Sequence, residues 1–218
     1  MPRSQRPHPC FPVGRRASQA MLWLLATVWL AAGCAPQRAT ADEPASAGIA
    51  PAVDATLARF APAGTVLRAS ARGDLDGDGH EDALLVVERE GADAATSPRG
   101  LLLLLGDAAG ALQEAMYSPD AILCLKCGGM MGDPLQGMRV GRGEFTLRFE
   151  GGSRELWSSE FRFVYARDRE TWRLAGIAHG GFDRADGKGA ERRLTTADFG
   201  DVPLESFDPQ DYPADALP

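Results

Sequence analysis

Short runs of apolar residues, most of them alternating with polar ones, dominate the chain after residue 60. The period of two predicts strands over 65–72, 82–89, 111–117, 137–141, 144–150, 154–167 and 171–179. A run at 100–105 differs. Leu101 to Leu105 is unbroken leucine, which predicts a central strand buried on both faces. Phe161, Phe163 and Tyr165 alternate and so share one face of their strand. The turn Asp168-Arg169-Glu170 leads to Trp172 and Leu174, which continue that face, with Gly176 next in the alternation. Val53 to Phe60 reads as a short helix that Asp54 can cap. Residues 183–190 read as a polar loop. The expected fold is mainly β: an antiparallel sheet curled into a sandwich or partial barrel, with one or two short helices.

The first 52 residues follow other rules. Arg3, Arg6, Arg15 and Arg16 make a basic start, and Met21 to Leu30 form an apolar core too short to span a bilayer. Leu30-Ala31-Ala32-Gly33-Cys34 closes the segment. Small residues before a Cys resemble a bacterial lipobox, in which the peptide is cut before the Cys and the Cys is lipidated. The resemblance implies a lipoprotein-type signal peptide over 1–33, lipidation of Cys34, and anchorage to the membrane without a transmembrane span. Ordinary secretion with cleavage nearby is the competing reading. Ala35 replaces the acidic residue linked to inner-membrane retention in such lipoproteins, which points to the outer membrane, facing the periplasm. Residues 34–52, rich in Ala, Pro, Thr and Ser, read as the lipidated Cys and a flexible tether. A single globular domain over 53–206 and a Pro/Asp-rich tail over 207–218 complete the layout.

Charge narrows the function. The leader holds four of the 23 Lys and Arg residues and none of the 30 Asp and Glu. The rest of the chain carries 19 basic against 30 acidic groups, net −11. That excludes a nucleic-acid footprint, which needs a basic stripe, and disfavours an anionic lipid surface as a partner. It suits an exported cation-binding protein.

One stretch concentrates this charge. Asp74-Leu75-Asp76-Gly77-Asp78-Gly79-His80-Glu81-Asp82 reads D-x-D-x-D-G-x-x-D. Calcium takes six to eight oxygen ligands at about 2.3–2.6 Å, and carboxylates at positions 1, 3 and 5 of a curled loop can converge on one centre. Asp74, Asp76 and Asp78 hold those positions. Gly79 is sixth, where the chain turns sharply and a Cβ is expected to be in the way. His80 is seventh and would offer its backbone carbonyl. Asp82 is ninth and would coordinate directly or through water. The twelfth residue is Leu85 rather than Glu, which excludes a helix–loop–helix EF-hand.

The phrase GDLDGDGHEDALLVV resembles the calcium loop of integrin-type FG-GAP (VCBS-like) repeats over about 15 residues. In those proteins the loop recurs once per propeller blade. Here no second copy occurs, and the chain is too short for several blades, so the metal loop carries over and the propeller does not. Gly128-Gly129 with Gly132-Asp133-Pro134, and Phe161-Arg162-Phe163 with Trp172-Arg173-Leu174, are similar in layout to a group of small bacterial lipoproteins with a single such loop.

Two cysteines remain after the leader and Cys34, in Cys124-Leu125-Lys126-Cys127. Outside the cytosol this spacing predicts one structural disulfide. A thioredoxin-like redox site wants a helix at the first Cys, which Gly128-Gly129 oppose. Covalent haem wants C-x-x-C-H. Structural zinc wants four ligands, whereas the only histidines past the leader are His80 and His179. Ser158, Ser159 and His179 can be drawn as a triad but lack a nucleophile-elbow sequence. The resulting expectation is a lipid-anchored, calcium-binding module of the bacterial cell envelope, without catalysis. It would act by binding or as a structural part, with an envelope protein or glycan as partner. The alternatives are a thiol–disulfide oxidoreductase using the C-x-x-C pair and an envelope hydrolase whose calcium is structural.

Overall fold

The computed structural model describes residues 52–214. The expected signal peptide, Cys34 and the tether up to residue 51 lie outside the described residues.

Nine strands form two antiparallel sheets. The first runs β1 (Thr65–Gly73), β2 (Asp82–Arg89), β3 (Arg99–Gly106) and β4 (Leu112–Ile122), each beside its sequence neighbour. The second runs β5 (Leu135–Gly141), β6 (Glu144–Gly152), β7 (Glu155–Ala166), β8 (Thr171–Asp183) and β9 (Gly189–Leu194), again in chain order. Because each strand lies antiparallel beside its sequence neighbour, each sheet is a meander. The sheets pack as a sandwich and do not close into a barrel. No helix among the described residues is long and apolar enough to cross a membrane.

The leucine run behaves as its pattern predicts. Leu101, Leu102, Leu103 and Leu104 are all fully buried. Leu101 and Leu103 join Leu84 and Val86 in the core between the sheets, with Phe145, Phe149, Phe161 and Phe163 from the second sheet. Leu102 and Leu104 face the other way, against Ala83, Leu85, Val87 and Leu57. Leu57 comes from a 3₁₀ turn, Ala55–Phe60, whose first N–H groups are capped by Asp54 through a 2.9 Å bond from the Thr56 amide. This turn covers the outer face of the first sheet, so the central residues of β2 and β3, 83–87 and 101–104, are apolar on both faces. Each fully buried Leu there contributes about 1.5–3 kcal/mol.

Three features differ from the sequence expectation. Residues 183–190 are not all loop: β8 runs on to Asp183 and β9 begins at Gly189. Gly-Ala-Glu-Arg-Arg-Leu has a weak strand signature because β9 is an exposed edge, where charged side chains discourage pairing with another chain. The alternation in β8 is broken by a bulge, since Arg162 faces Gly176 whereas Phe163 faces Leu174. Gly176 therefore leaves the aromatic face, and Ile177, 3% exposed and opposite Phe161, takes the core position. Finally, the Pro/Asp-rich tail packs on the domain. Phe207 is buried with its ring centroid 5.0 Å from both Phe161 and Phe163, and Tyr212 stacks on Phe207 at 5.9 Å.

Cys124 and Cys127 lie at disulfide distance, with 5.1 Å between their Cα atoms. The segment after them folds back through Gly128 and Gly132. Its Gly-Asp-Pro sequence has a structural use. Asp133 pairs bidentately with the buried Arg99 guanidinium at 2.6 and 2.9 Å, and Arg99 also donates to the Leu123 carbonyl at 2.8 Å.

Candidate metal centre

The aspartate loop joins β1 to β2 and is held from outside by the second sheet. Four successive carbonyls face that sheet. The Gly143 amide, in the β5–β6 turn, donates to Asp74 O at 2.8 Å. The Trp172 indole N–H donates to Leu75 O at 2.8 Å. The Arg167 guanidinium donates to Asp76 O at 3.3 Å and Gly77 O at 2.9 Å. Leu75 is fully buried and its side chain belongs to the inter-sheet core. With carbonyls and one leucine turned to the protein, alternate carboxylates are left to face each other.

Asp74, Asp76 and Asp78 do so. Each offers a carboxylate oxygen, and the three atoms lie within 4.8 Å of one another. Ligands on opposite sides of a calcium ion are about 5 Å apart, so one ion can reach all three. Asp74 Oδ1 is buried and has no hydrogen-bond donor. A buried carboxylate oxygen without a donor is costly, and a cation is the partner its chemistry fits. The other Asp74 oxygen accepts from the Gly79 amide at 3.1 Å, with the exposed Arg142 Nε 3.6 Å away. The donor set is hard oxygen throughout, which suits calcium.

The side chains of His80 and Asp82 lie outside that group of three. The His80 ring bonds Asp78 Oδ2 at 2.8 Å, and the His80 amide donates to Asp78 Oδ1 at 2.7 Å. These bonds lower the Asp78 pKa and raise that of His80. Asp82 is fully buried and outside the three-carboxylate group. Its oxygens accept from the backbone amides of Leu75 at 2.6 Å and Gly106 at 2.8 Å, so it staples the start of the loop to the end of β3. Burial raises its pKa, more than those two amide bonds lower it, and the charges of Asp76 and Asp78 add to the rise.

The glycines act through their backbone. Gly77 and Gly79 have φ of 78° and 95°, a region L side chains rarely adopt. A Cβ on Gly79 would meet no atom within 4 Å. The expected steric demand at that position is therefore a dihedral demand. At Gly77 both apply, since a Cβ would come within 3.0 Å of Arg167 Nη2.

Sequence reasoning missed Gly143, Arg167 and Trp172 as supports of the loop. They stand 69 to 97 residues from their partners, and nothing local marks them. Of the residues drawn as a triad, Ser159 and His179 meet across β7 and β8 at 2.9 Å, whereas Ser158 points to the opposite face of β7. No helix begins at Cys124, which lies in an irregular turn and is 1% exposed.

No family model, no curated protein and no solved structure matches the chain.

Proposed function

We propose that this chain is a lipid-anchored, calcium-binding protein of the bacterial cell envelope, acting as a binding or structural module without catalysis. The observation that carries the metal reading is the convergence of Asp74, Asp76 and Asp78 around an otherwise unpartnered Asp74 oxygen. Those three residues would hold the ion. Its charge would offset their mutual repulsion and stiffen the β1–β2 junction, with Asp82 fixing the loop from behind. The anchor rests on Leu30 to Cys34 and the basic, apolar leader before them.

The test is thermal unfolding of the full chain with calcium and with chelator. Binding to the native state alone stabilises by about 2.7 kcal/mol at a hundredfold excess over Kd. For a site in the extracellular range of about 10⁻⁴–10⁻³ M, that takes tens of millimolar calcium. A calcium-specific rise in Tm that Asp76→Ala abolishes is the expected result. Unchanged calcium affinity in Asp76→Ala would sink the assignment. Palmitate labelling that is lost in Cys34→Ala checks the anchor separately.

A further inference from the structure

The inner face of β7 carries a feature that the metal loop does not use. A cavity of about 360 Å³ is lined, among the described residues, by Trp157, Ser159 and Phe161 of β7, by Cys127, and by Tyr212 of the C-terminal strap. Its volume falls at the low end of small-molecule sites, about 300–1,000 Å³. An apolar void of about 150 Å³ already takes up benzene, so this one has room for a ring and its substituents.

Three of the walls are aromatic, beside Leu123, Pro209 and Gln210, and Phe161 and Tyr212 are held by other rings. Tyr212 stacks on Phe207, meets Phe161 edge-on at 6.4 Å and meets Phe199 edge-on at 6.2 Å. Phe207 in turn is wedged against Phe161 and Phe163. Such faces receive a flat ring by offset stacking or edge contact. The strap that supplies Tyr212 is thus set in place by the core and not by the ligand.

Among these rings sits one polar pair. Ser159 and His179 are 4% and 5% exposed and hydrogen-bonded to each other at 2.9 Å. On the same face Phe149 is opposite Ser159, Phe161 and Ile177 follow, and Arg192 of β9 is opposite His179. A hydroxyl has one donor and two acceptor sites, and the bond to His179 uses one of them. Ser159 lines the cavity, so its remaining capacity is within reach of an occupant.

We infer that this cavity is a binding site for a small planar aromatic molecule bearing a hydroxyl, with Ser159 bonding the hydroxyl and Trp157, Phe161 and Tyr212 enclosing the ring. The inference stands on β7 and the strap and does not use the calcium loop.

Calorimetric titration of the full chain with phenol, in chelator and against detergent blanks, tests it, with benzene and cyclohexanol as comparators. Phenol should bind saturably, and both comparators about threefold to tenfold more weakly, the worth of one neutral hydrogen bond or of ring stacking. Ser159→Ala should bring phenol to the level of benzene, and Ser158→Ala, on the other face of β7, should leave it unchanged. In the unmodified chain, magnetisation transfer from phenol should reach the Trp157 and Tyr212 rings, which keeps the test independent of whether variants fold. Absence of saturation, equal binding of cyclohexanol, an equal effect of the two serine variants, or no transfer to those rings would overturn it.

Discussion

The indole N–H of Trp172 donates to the carbonyl oxygen of Leu75 at 2.8 Å, in the core and across 97 residues of chain. Leu75 lies between the first two aspartates of the loop, and Trp172 lies near the start of β8 in the other sheet. The aspartate loop is therefore built by both sheets. Replacing Trp172 by Phe keeps an aromatic ring but leaves the Leu75 carbonyl without this donor. An unpaired buried carbonyl costs about 1–3 kcal/mol. Urea unfolding in chelator should show that loss, and a fall in calcium affinity should accompany it. Unaltered stability would mean that the loop does not depend on the second sheet.

Asp76 and Asp82 should behave differently although they belong to one motif. Asp82→Asn replaces an oxygen that accepts a backbone N–H by an amide group that cannot. It should destabilise the protein by about 1–3 kcal/mol with or without calcium. Asp76→Asn should leave stability in chelator unchanged or slightly raised, because one repelling charge is gone, and should remove the calcium increment. Melting curves of both variants in both buffers separate the staple from the ligand.

The two glycines offer a graded test. Gly79→Ala meets only the dihedral penalty of about 1–2 kcal/mol, since its Cβ has open space. Gly79→Asn should be milder, as Asn tolerates positive φ. Gly77→Ala should cost more than Gly79→Ala, because its Cβ would press on Arg167. Denaturant midpoints read the order directly, and a reversed order would contradict the loop geometry.

Arg99 and Asp133 tie the segment after the cysteines to the first sheet. Arg99 is 2% exposed at its side chain and Asp133 39%. Asp133→Ala strands the guanidinium, and an uncompensated buried charge costs about 3–5 kcal/mol, with the low end expected here because Asp133 is partly exposed. Faster proteolysis between residues 123 and 134 should accompany the lower urea midpoint.

Acid should weaken the fold through its exposed carboxylates. Hydrogen bonds hold Asp54, Asp93, Asp183, Asp198 and Asp201 below the ordinary aspartate value of 3.8. For Asp54 the main partner is Thr56, for Asp93 the Ala95 amide, for Asp183 Arg154, for Asp198 Thr195, and for Asp201 Arg169. A folded pKa below the unfolded one means that the stabilisation is complete above 3.8 and is lost as pH falls through the folded value. Asp82 and Asp208, raised by burial, act in the opposite sense, their contribution being present at low pH and lost as pH rises. With Asp78, lowered by its bonds from His80, the lowered groups number six against two, and stability in chelator should drop below about pH 4. Asp201→Asn, which weakens the contacts to Arg169 and Arg173, should flatten that drop. A pH-independent midpoint between 4 and 2 would refute the assignment.

What could be read from the chain alone was whatever one strand or one turn determines by its own period. The alternation of Phe161, Phe163 and Tyr165 placed a core face, the unbroken leucines of 101–105 placed a strand buried on both sides, and Asp54 marked the start of the 3₁₀ turn. The spacing of Asp74, Asp76 and Asp78 was legible for the same reason, since a tight loop can bring positions 1, 3 and 5 together through local geometry. The bulge at Ala175 was not legible. It depends on how β8 fits β7 and has no composition of its own. The edge strand β9 was hidden because an exposed edge carries charge where a buried strand carries apolar residues. Type and spacing marked Asp82 as a ligand, whereas the amide of Gly106 that reaches it from β3 was visible only in the tertiary structure. Trp172, Arg167 and Gly143 reached the loop through the packing of two sheets, a relationship set by the shape of the whole core and by no local run of residues.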